Sequence, residues 1–247
     1  MKDLFSSHAK QYAQFRPVYP TELYDFIYRH VKNYDIAWDC GTGNGQAARA
    51  LSAQFKKVLA TDISAKQIQN AHVAENIFYS IASEQSSFAD SSVDLITVAQ
   101  AAHWFNMELF SREVKRVSKP DGIVAVWGYG LLKISRDIDP FISHFYYDVI
   151  GPYWDQDRRH IDEHYKNIYF PFQEIQTPAF NILISWTLAE LEGYITTWSA
   201  VQKYITTHQH HAVPDLIAAI KPHWKDEAMS VHFPLFLKLG SPGWKGK

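Results

Sequence analysis

Seven consecutive residues, Asp39-Cys40-Gly41-Thr42-Gly43-Asn44-Gly45, carry the densest chemistry in the sequence. They follow a short apolar run, Ile36-Ala37-Trp38, and precede a segment of helical period. Three glycines at alternate positions let the backbone turn tightly and approach a ligand closely. The first N–H groups of the next helix have no intrahelical partners and face the same spot. Asp62 lies 17 residues beyond Gly45, at the end of a second apolar run, Lys57-Val58-Leu59-Ala60-Thr61. Parallel pairing of the two runs sets that carboxylate beside the glycines, where it can accept two ribose hydroxyl hydrogens.

Two ligands suit a glycine turn followed by an acid. A dinucleotide wants G-x-G-x-x-G around its pyrophosphate. Here the third glycine comes one residue early and Gln46 occupies its expected place. Asp39, just ahead of the glycines, would repel a pyrophosphate and attract a cation. S-adenosylmethionine carries a sulfonium and an ammonium, so the charges favour it over NAD. A glycine-rich turn that binds nothing is the bland alternative. Cys40 is the single cysteine and reads as a small filler of the turn. It can make no internal disulfide, which fits a reducing compartment.

Two further clusters invite chemistry. Arg158-Arg159-His160 would clamp an acidic ligand through bidentate pairs, or else stand as a solvated face. His208-Gln209-His210-His211 lacks a second set of strong ligands, so no metal is expected.

The elements that must position these residues alternate through the first half. From Gln46, the residues Ala47, Ala48, Leu51 and Phe55 share a helical face. Ser64 and Gln67 have the spacing of a capping box, with Ile68 and Ala71 continuing inward. Ile77-Phe78-Tyr79-Ser80-Ile81 reads as a third strand, Val93-Asp94-Leu95-Ile96-Thr97-Val98 as a fourth, and Ile123-Val124-Ala125-Val126-Trp127 as a fifth. Between the last two, Phe110, Val114 and Val117 keep helical spacing, and Pro120-Asp121-Gly122 reads as a turn. Near-continuous apolar strands joined by helices imply a parallel sheet covered on both faces. An amphipathic helix with Leu23, Phe26, Ile27 and Val31 precedes them. Residues 131–171, rich in Tyr, Trp, Phe, Asp and His, read as an inserted helical cap opening at Asp139-Pro140. A sixth strand is expected over 180–186, a helix over 188–200 and a last strand over 231–239. Together these predict one α/β domain over residues 1–247, with a Rossmann-like, mostly parallel seven-stranded sheet.

Composition bounds the rest. The chain has 247 residues, 24 Lys+Arg against 26 Asp+Glu, and is 47% apolar. That much apolar mass excludes a disordered or low-complexity chain. A net charge of −2 offers no broad basic footprint, so no nucleic-acid partner is expected. No run of about 18 apolar residues suggests a membrane span. Residues 1–8 lack the apolar core of a signal peptide, so a soluble, cytoplasmic protein is expected. The sequence does not specify an oligomeric state.

The ordered motifs resemble the class I S-adenosylmethionine-dependent methyltransferases of the small-molecule type. Phe15-Arg16-Pro17-Val18-Tyr19-Pro20 is similar to that family's N-terminal element, and residues 39–46 to its first motif. Asp62-Ile63-Ser64 resembles its second. Residues 82–88 stand at the adenine-side loop, and Ala99-Gln100-Ala101-Ala102-His103-Trp104 resembles a further signature. Trp127-Gly128-Tyr129 and Thr197-Trp198-Ser199-Ala200 are similar to a narrower, trans-aconitate methyltransferase-like branch. Two departures stand out. Ser86-Ser87 replaces the usual Leu-Pro, which predicts a more mobile adenine-side loop. Ala82 replaces a frequent Asp, which removes one adenine contact.

The resemblance implies cofactor contacts from Arg16, Asp39, Gly41, Gly43, Asp62, Ile63, Ser83, Glu84 and Gln100. It sets His103 at the mouth of the site, as a general base or as a wall shared with Trp104. Trp127, Tyr129, Tyr153, Trp154 and Arg158 are the expected acceptor contacts. The implied reaction is methyl transfer to a small molecule, with a carboxylate as the favoured acceptor. An NAD(P)-dependent oxidoreductase and a non-catalytic S-adenosylmethionine-binding module remain the competing classes.

Overall fold

A computed structural model describes residues 16–243. Phe15 and the N-terminal residues 1–8 lie outside that range. The chain runs through α1 (Thr21–Tyr28), β1 (Ile36–Cys40), α2 (Gln46–Ser52), β2 (Lys57–Asp62), α3 (Ala65–Gln69), β3 (Ile77–Ile81), β4 (Val93–Ala99), α4 (Met107–Val117) and β5 (Ser118–Tyr129). It continues through α5 (Asp139–His144), α6 (Arg159–Asp162), β6 (Gln173–Ile175), β7 (Phe180–Thr187), α7 (Leu188–Thr196), α8 (Ser199–His208), α9 (Val213–Ile220) and β8 (Ala228–Ser241).

The strands form one sheet in the order β3-β2-β1-β4-β5-β8-β6, with β7 also paired to β8. The pairs among β1 to β5 are parallel, and β8 is antiparallel to its three neighbours. The sheet therefore has eight strands among the described residues, one more than expected. The extra one, β6, has only three residues and no apolar run to announce it. Side chains alternate between two cores. Ala37, Val58, Leu95 and Ala125 enter one, while Trp38, Ile96, Val124 and Val126 enter the other. Strand order reverses between β1 and β4, and that reversal opens a crevice at the strands' carboxyl ends.

Three local expectations change. Pro120-Asp121-Gly122 lies within β5, where pairing with β4 jumps from Val93–Ser118 to Leu95–Ile123. The turn residues are accommodated as a bulge, because the flanking residues already pair in register. The helix expected over 188–200 is two helices, broken at Thr197-Trp198, where Trp198 is extended (ψ 131°). Ser64 makes only half of a capping box: its Oγ accepts the Gln67 N–H (3.3 Å), while Asp62 Oδ1 takes the Ser64 N–H (2.8 Å).

Residues 131–171 hold α5, a wider helical turn over Phe145–Val149, and α6. Asp139 opens α5 and its Oδ1 accepts the N–H groups of Ile134 (2.7 Å) and Ser135 (3.2 Å). Tyr146, Ile150, Ile161 and Tyr165 are fully buried there. No helix among the described residues is long and apolar enough to cross a membrane.

Candidate active site

One cavity opens over the carboxyl ends of β1, β2 and β4, lined by Gly41, Asp62, Ala99 and their neighbours. The β1–α2 turn is tied to β2, since Thr61 O accepts the N–H groups of Gly41 (2.8 Å) and Thr42 (2.9 Å). At Gly43 the backbone is left-handed (φ +56°), and a Cβ would meet nothing within 4 Å. The turn thus presents bare backbone to open space. Gly45 (φ +82°) is glycine for a second reason, because a Cβ there would run into the Tyr79 hydroxyl.

The two acids take different positions. Asp62 stands on the cavity wall, where its Oδ2 accepts the Gly43 N–H at 2.9 Å. Asp39 is fully buried behind the turn and off the wall. It accepts hydroxyl hydrogens from Thr42 (2.6 Å) and Thr97 (2.8 Å), and burial pushes its carboxyl up to about 6. Ile63 and Gln67 complete this side of the wall. Gln67 Oε1 is buried with no hydrogen-bond partner, an acceptor left for a ligand.

Ser83 and Glu84 do not reach the cavity. The Ser83 carbonyl accepts the Cys40 S–H (3.7 Å), and buried Glu84 accepts the Asn106 N–H (3.2 Å). The loop that contains them is pinned by polar contacts. Glu113 Oε1 accepts both the N–H (2.8 Å) and the hydroxyl (2.6 Å) of Ser86. Arg116 then donates to Glu113, to the carbonyls of Phe88 (2.7 Å) and Ser86 (3.2 Å), and to Asp90 (2.6 Å). The restraint lost with Leu-Pro is replaced by this clamp.

The opposite side of the cavity is aromatic and cationic. Arg16, Gln100, His103, Trp104, Tyr129, Trp154 and Arg158 all line it. Arg16 donates to the Tyr129 hydroxyl (2.6 Å) and lies over the Tyr194 ring (5.9 Å). Arg158 lies over Trp154 (4.6 Å) and donates to the Tyr146 hydroxyl (3.0 Å), which donates in turn to Asp162 (2.7 Å). His103 is buried, packs on Trp104 (4.5 Å) and bonds the Tyr165 hydroxyl through Nδ1 (3.0 Å). Burial, then the charges of Arg158, His160 and Arg16, hold its imidazole well below the usual range.

Two expected acceptor contacts stand elsewhere. Trp127 is fully buried beneath the wall, edge-on to Tyr19 (5.5 Å) and Tyr24 (6.0 Å). Tyr153 bonds His208 and packs against Tyr204 (5.3 Å). The apolar strand end buries the first, and α8 covers the second. Tyr19, Asn44, Gln67, Tyr194, Trp198 and Ser199 also line the cavity, and the sequence reading assigned none of them to the site. Tyr194 and Trp198 are four residues apart at the α7–α8 break, a spacing that puts both rings on one side.

The wall fits an adenosyl ligand that carries positive charge. It offers an open glycine cradle, a carboxylate at the end of β2, an orphan acceptor and a second acid close behind. The comparisons agree. A family model described as a methyltransferase domain matches residues 38–126. The chain is 36% identical to a methyltransferase of Dictyostelium discoideum, covering 96% of this chain and 94% of the relative. A Saccharomyces cerevisiae S-adenosylmethionine-dependent methyltransferase is 29% identical, covering 52% of this chain and 46% of its own length. Among solved structures, a type II methyltransferase from Anaeromyxobacter dehalogenans superposes with a TM-score of 0.86 at 29% identity, covering 92% of this chain and 98% of that one. Fold, cradle and relatives converge: the chain belongs to the S-adenosylmethionine-dependent methyltransferases.

Proposed function

We propose that this enzyme methylates a carboxylate oxygen of a small acid. The observation that carries the reading is Arg158. Arg158 is a partly buried residue on the cavity wall, and its guanidinium lies over the Trp154 ring at 4.6 Å. It has no carboxylate within 4.0 Å among the described residues, and Asp162 meets it only through the Tyr146 hydroxyl. A buried cation without a direct carboxylate partner favours an anionic ligand. The resemblance of residues 127–129 and 197–200 to the trans-aconitate branch supports the same class, since Tyr129, Trp198 and Ser199 line the cavity.

Bound S-adenosylmethionine supplies a methyl carbon already activated by its sulfonium. A carboxylate is ionised at neutral pH and needs no base. What remains for the protein is alignment and exclusion of water. Arg158 holds the acceptor by charge-assisted hydrogen bonds. Tyr129, fixed by Arg16, and the rings of Trp154, Tyr194 and Trp198 wall off solvent. On the donor side Asp62 takes the ribose hydroxyls, Ile63 packs on the adenine, and the backbone of Gly41 and Gly43 meets the methionine part. Asp39 acts from behind the turn by its charge.

Incubation with isotopically labelled S-adenosylmethionine and a library of small acids, amines and alcohols, followed by mass spectrometry, tests this. Methyl esters are expected. Labelled amines or ethers without esters would overturn it. In Arg158→Ala the ester-forming KM should rise at least tenfold with unchanged cofactor affinity.

A further inference from the structure

We infer that Tyr165 locks His103 in the tautomer whose proton sits on Nε2, so that His103 offers the acceptor a hydrogen bond instead of removing its proton. The hydroxyl of Tyr165 lies 3.0 Å from His103 Nδ1, and the tyrosine is fully buried. Nδ1 is the one acceptor within hydrogen-bond distance of this hydroxyl among the described residues. A buried hydroxyl hydrogen needs an acceptor, so it is given to Nδ1. A neutral imidazole that accepts at Nδ1 carries its proton at Nε2. That nitrogen has no partner among the described residues, and His103 forms part of the cavity wall.

The alternative, an imidazolium with both nitrogens protonated, is disfavoured by burial first and then by the bases Arg158, His160 and Arg16. The titratable group in contact with the ring is the Tyr165 hydroxyl, which is neutral. The backbone shows that this placement of Tyr165 is costly. His164 (φ +54°) and Tyr165 (φ +55°) are consecutive left-handed residues without glycine, a conformation that L side chains disfavour. They are held there because His164 stacks on Phe236 (5.0 Å) and Tyr165 meets the same ring edge-on (5.0 Å). Strain retained at a cavity points to a role for the group it positions. Tyr165 is absent from the wall and acts only through His103, as a positioning residue.

The inference rests on the carboxylate reading for what receives the N–H, since an acceptor already ionised needs a donor and no base. Its test needs no acceptor, so the two readings fail separately. Protein labelled with nitrogen-15 histidine is followed by NMR from pH 5.5 to 8, with His103→Gln assigning the resonance. A proton on Nε2 throughout, with Nδ1 unprotonated, is expected. A proton on Nδ1, or titration in the ordinary imidazole range, would overturn the inference. Tyr165→Phe should spread the proton over both nitrogens while the other histidines keep their shifts. A His103 spectrum unchanged in that variant would show that the hydroxyl does not select the tautomer. If Tyr165→Phe fails to fold, the wild-type tautomer alone decides.

Discussion

Gln100 closes its side-chain amide on the backbone of Tyr129: Oε1 accepts the Tyr129 N–H at 2.8 Å and Nε2 donates to the Tyr129 carbonyl at 3.3 Å. The family resemblance implies that this amide faces the methionine end of the cofactor. In the structure the amide joins the ends of β4 and β5, while Gln100 also lines the cavity. The chain at Gln100 is left-handed (φ +55°), which swings the side chain across Gly128, where a Cβ would come within 2.8 Å of Oε1. The clasp fixes Tyr129, and Tyr129 receives Arg16. Gln100→Ala should therefore cost about 1–3 kcal/mol of stability, from the backbone groups left unmatched. Cofactor affinity should change less than threefold. Urea denaturation and calorimetry check both, and a large affinity loss without a stability loss would return the amide to the cofactor.

Asp62 has two duties that can be separated. Its carboxylate holds the Gly43 and Ser64 N–H groups, and it is the proposed ribose acceptor. Asp62→Ala should weaken S-adenosylmethionine binding by about 1–3 kcal/mol and also loosen the turn. Asp62→Asn keeps one acceptor oxygen, so it should retain more of both. Calorimetric titration beside thermal melts distinguishes the duties. Unchanged binding in Asp62→Ala would remove the ribose contact.

The glycine turn offers a packing test. Gly45 is left-handed and faces the Tyr79 hydroxyl, which donates to the His72 carbonyl (2.7 Å). Gly45→Ala meets both the steric cost of positive φ, about 1 kcal/mol, and a clash. Tyr79→Phe should rescue part of that loss, because it removes the atom in the way. Thermal denaturation of the single and double variants measures the coupling. Strictly additive losses would mean that the backbone alone sets the glycine requirement.

Periodicity and turn chemistry made β1 to β5 legible, because each strand is apolar on both faces and ends at a glycine, an acid or a turn. The glycine loop and Asp62 were legible for the same reason: their chemistry is local. The acceptor side was harder to read. Trp127 lies on a strand whose residues alternate between two cores, so an aromatic expected at the wall was buried beneath it. Tyr194 and Trp198 enter the site from a helix break that no proline or glycine marks. β6 was invisible because three residues carry no period. The half-box at Ser64 shows how a tertiary partner, Asp62, can capture a group that local rules assign elsewhere.

Asp39 gives the pH behaviour a sign. Its carboxyl is raised to about 6 chiefly by burial, against the Thr42 and Thr97 hydroxyls and the Ala48 N–H, which lower it. In the unfolded chain an aspartate titrates near 4. Below about pH 4 both states hold the proton and the contribution of this group is complete. From about 4 to 6 the unfolded chain releases the proton while the native state keeps it, so stability falls as pH rises, by roughly 3 kcal/mol over the window. Asp39→Asn has no such loss. Its stability relative to wild type should rise between pH 4 and 6 and level off above that, as read by urea denaturation at each pH. A pH-independent difference would show that the buried carboxyl titrates normally. The proposed cofactor role adds a second arm. A cation near the turn favours the ionised acid, so S-adenosylmethionine binding should release a proton and tighten as pH rises through 6. Asp39→Asn should abolish that dependence.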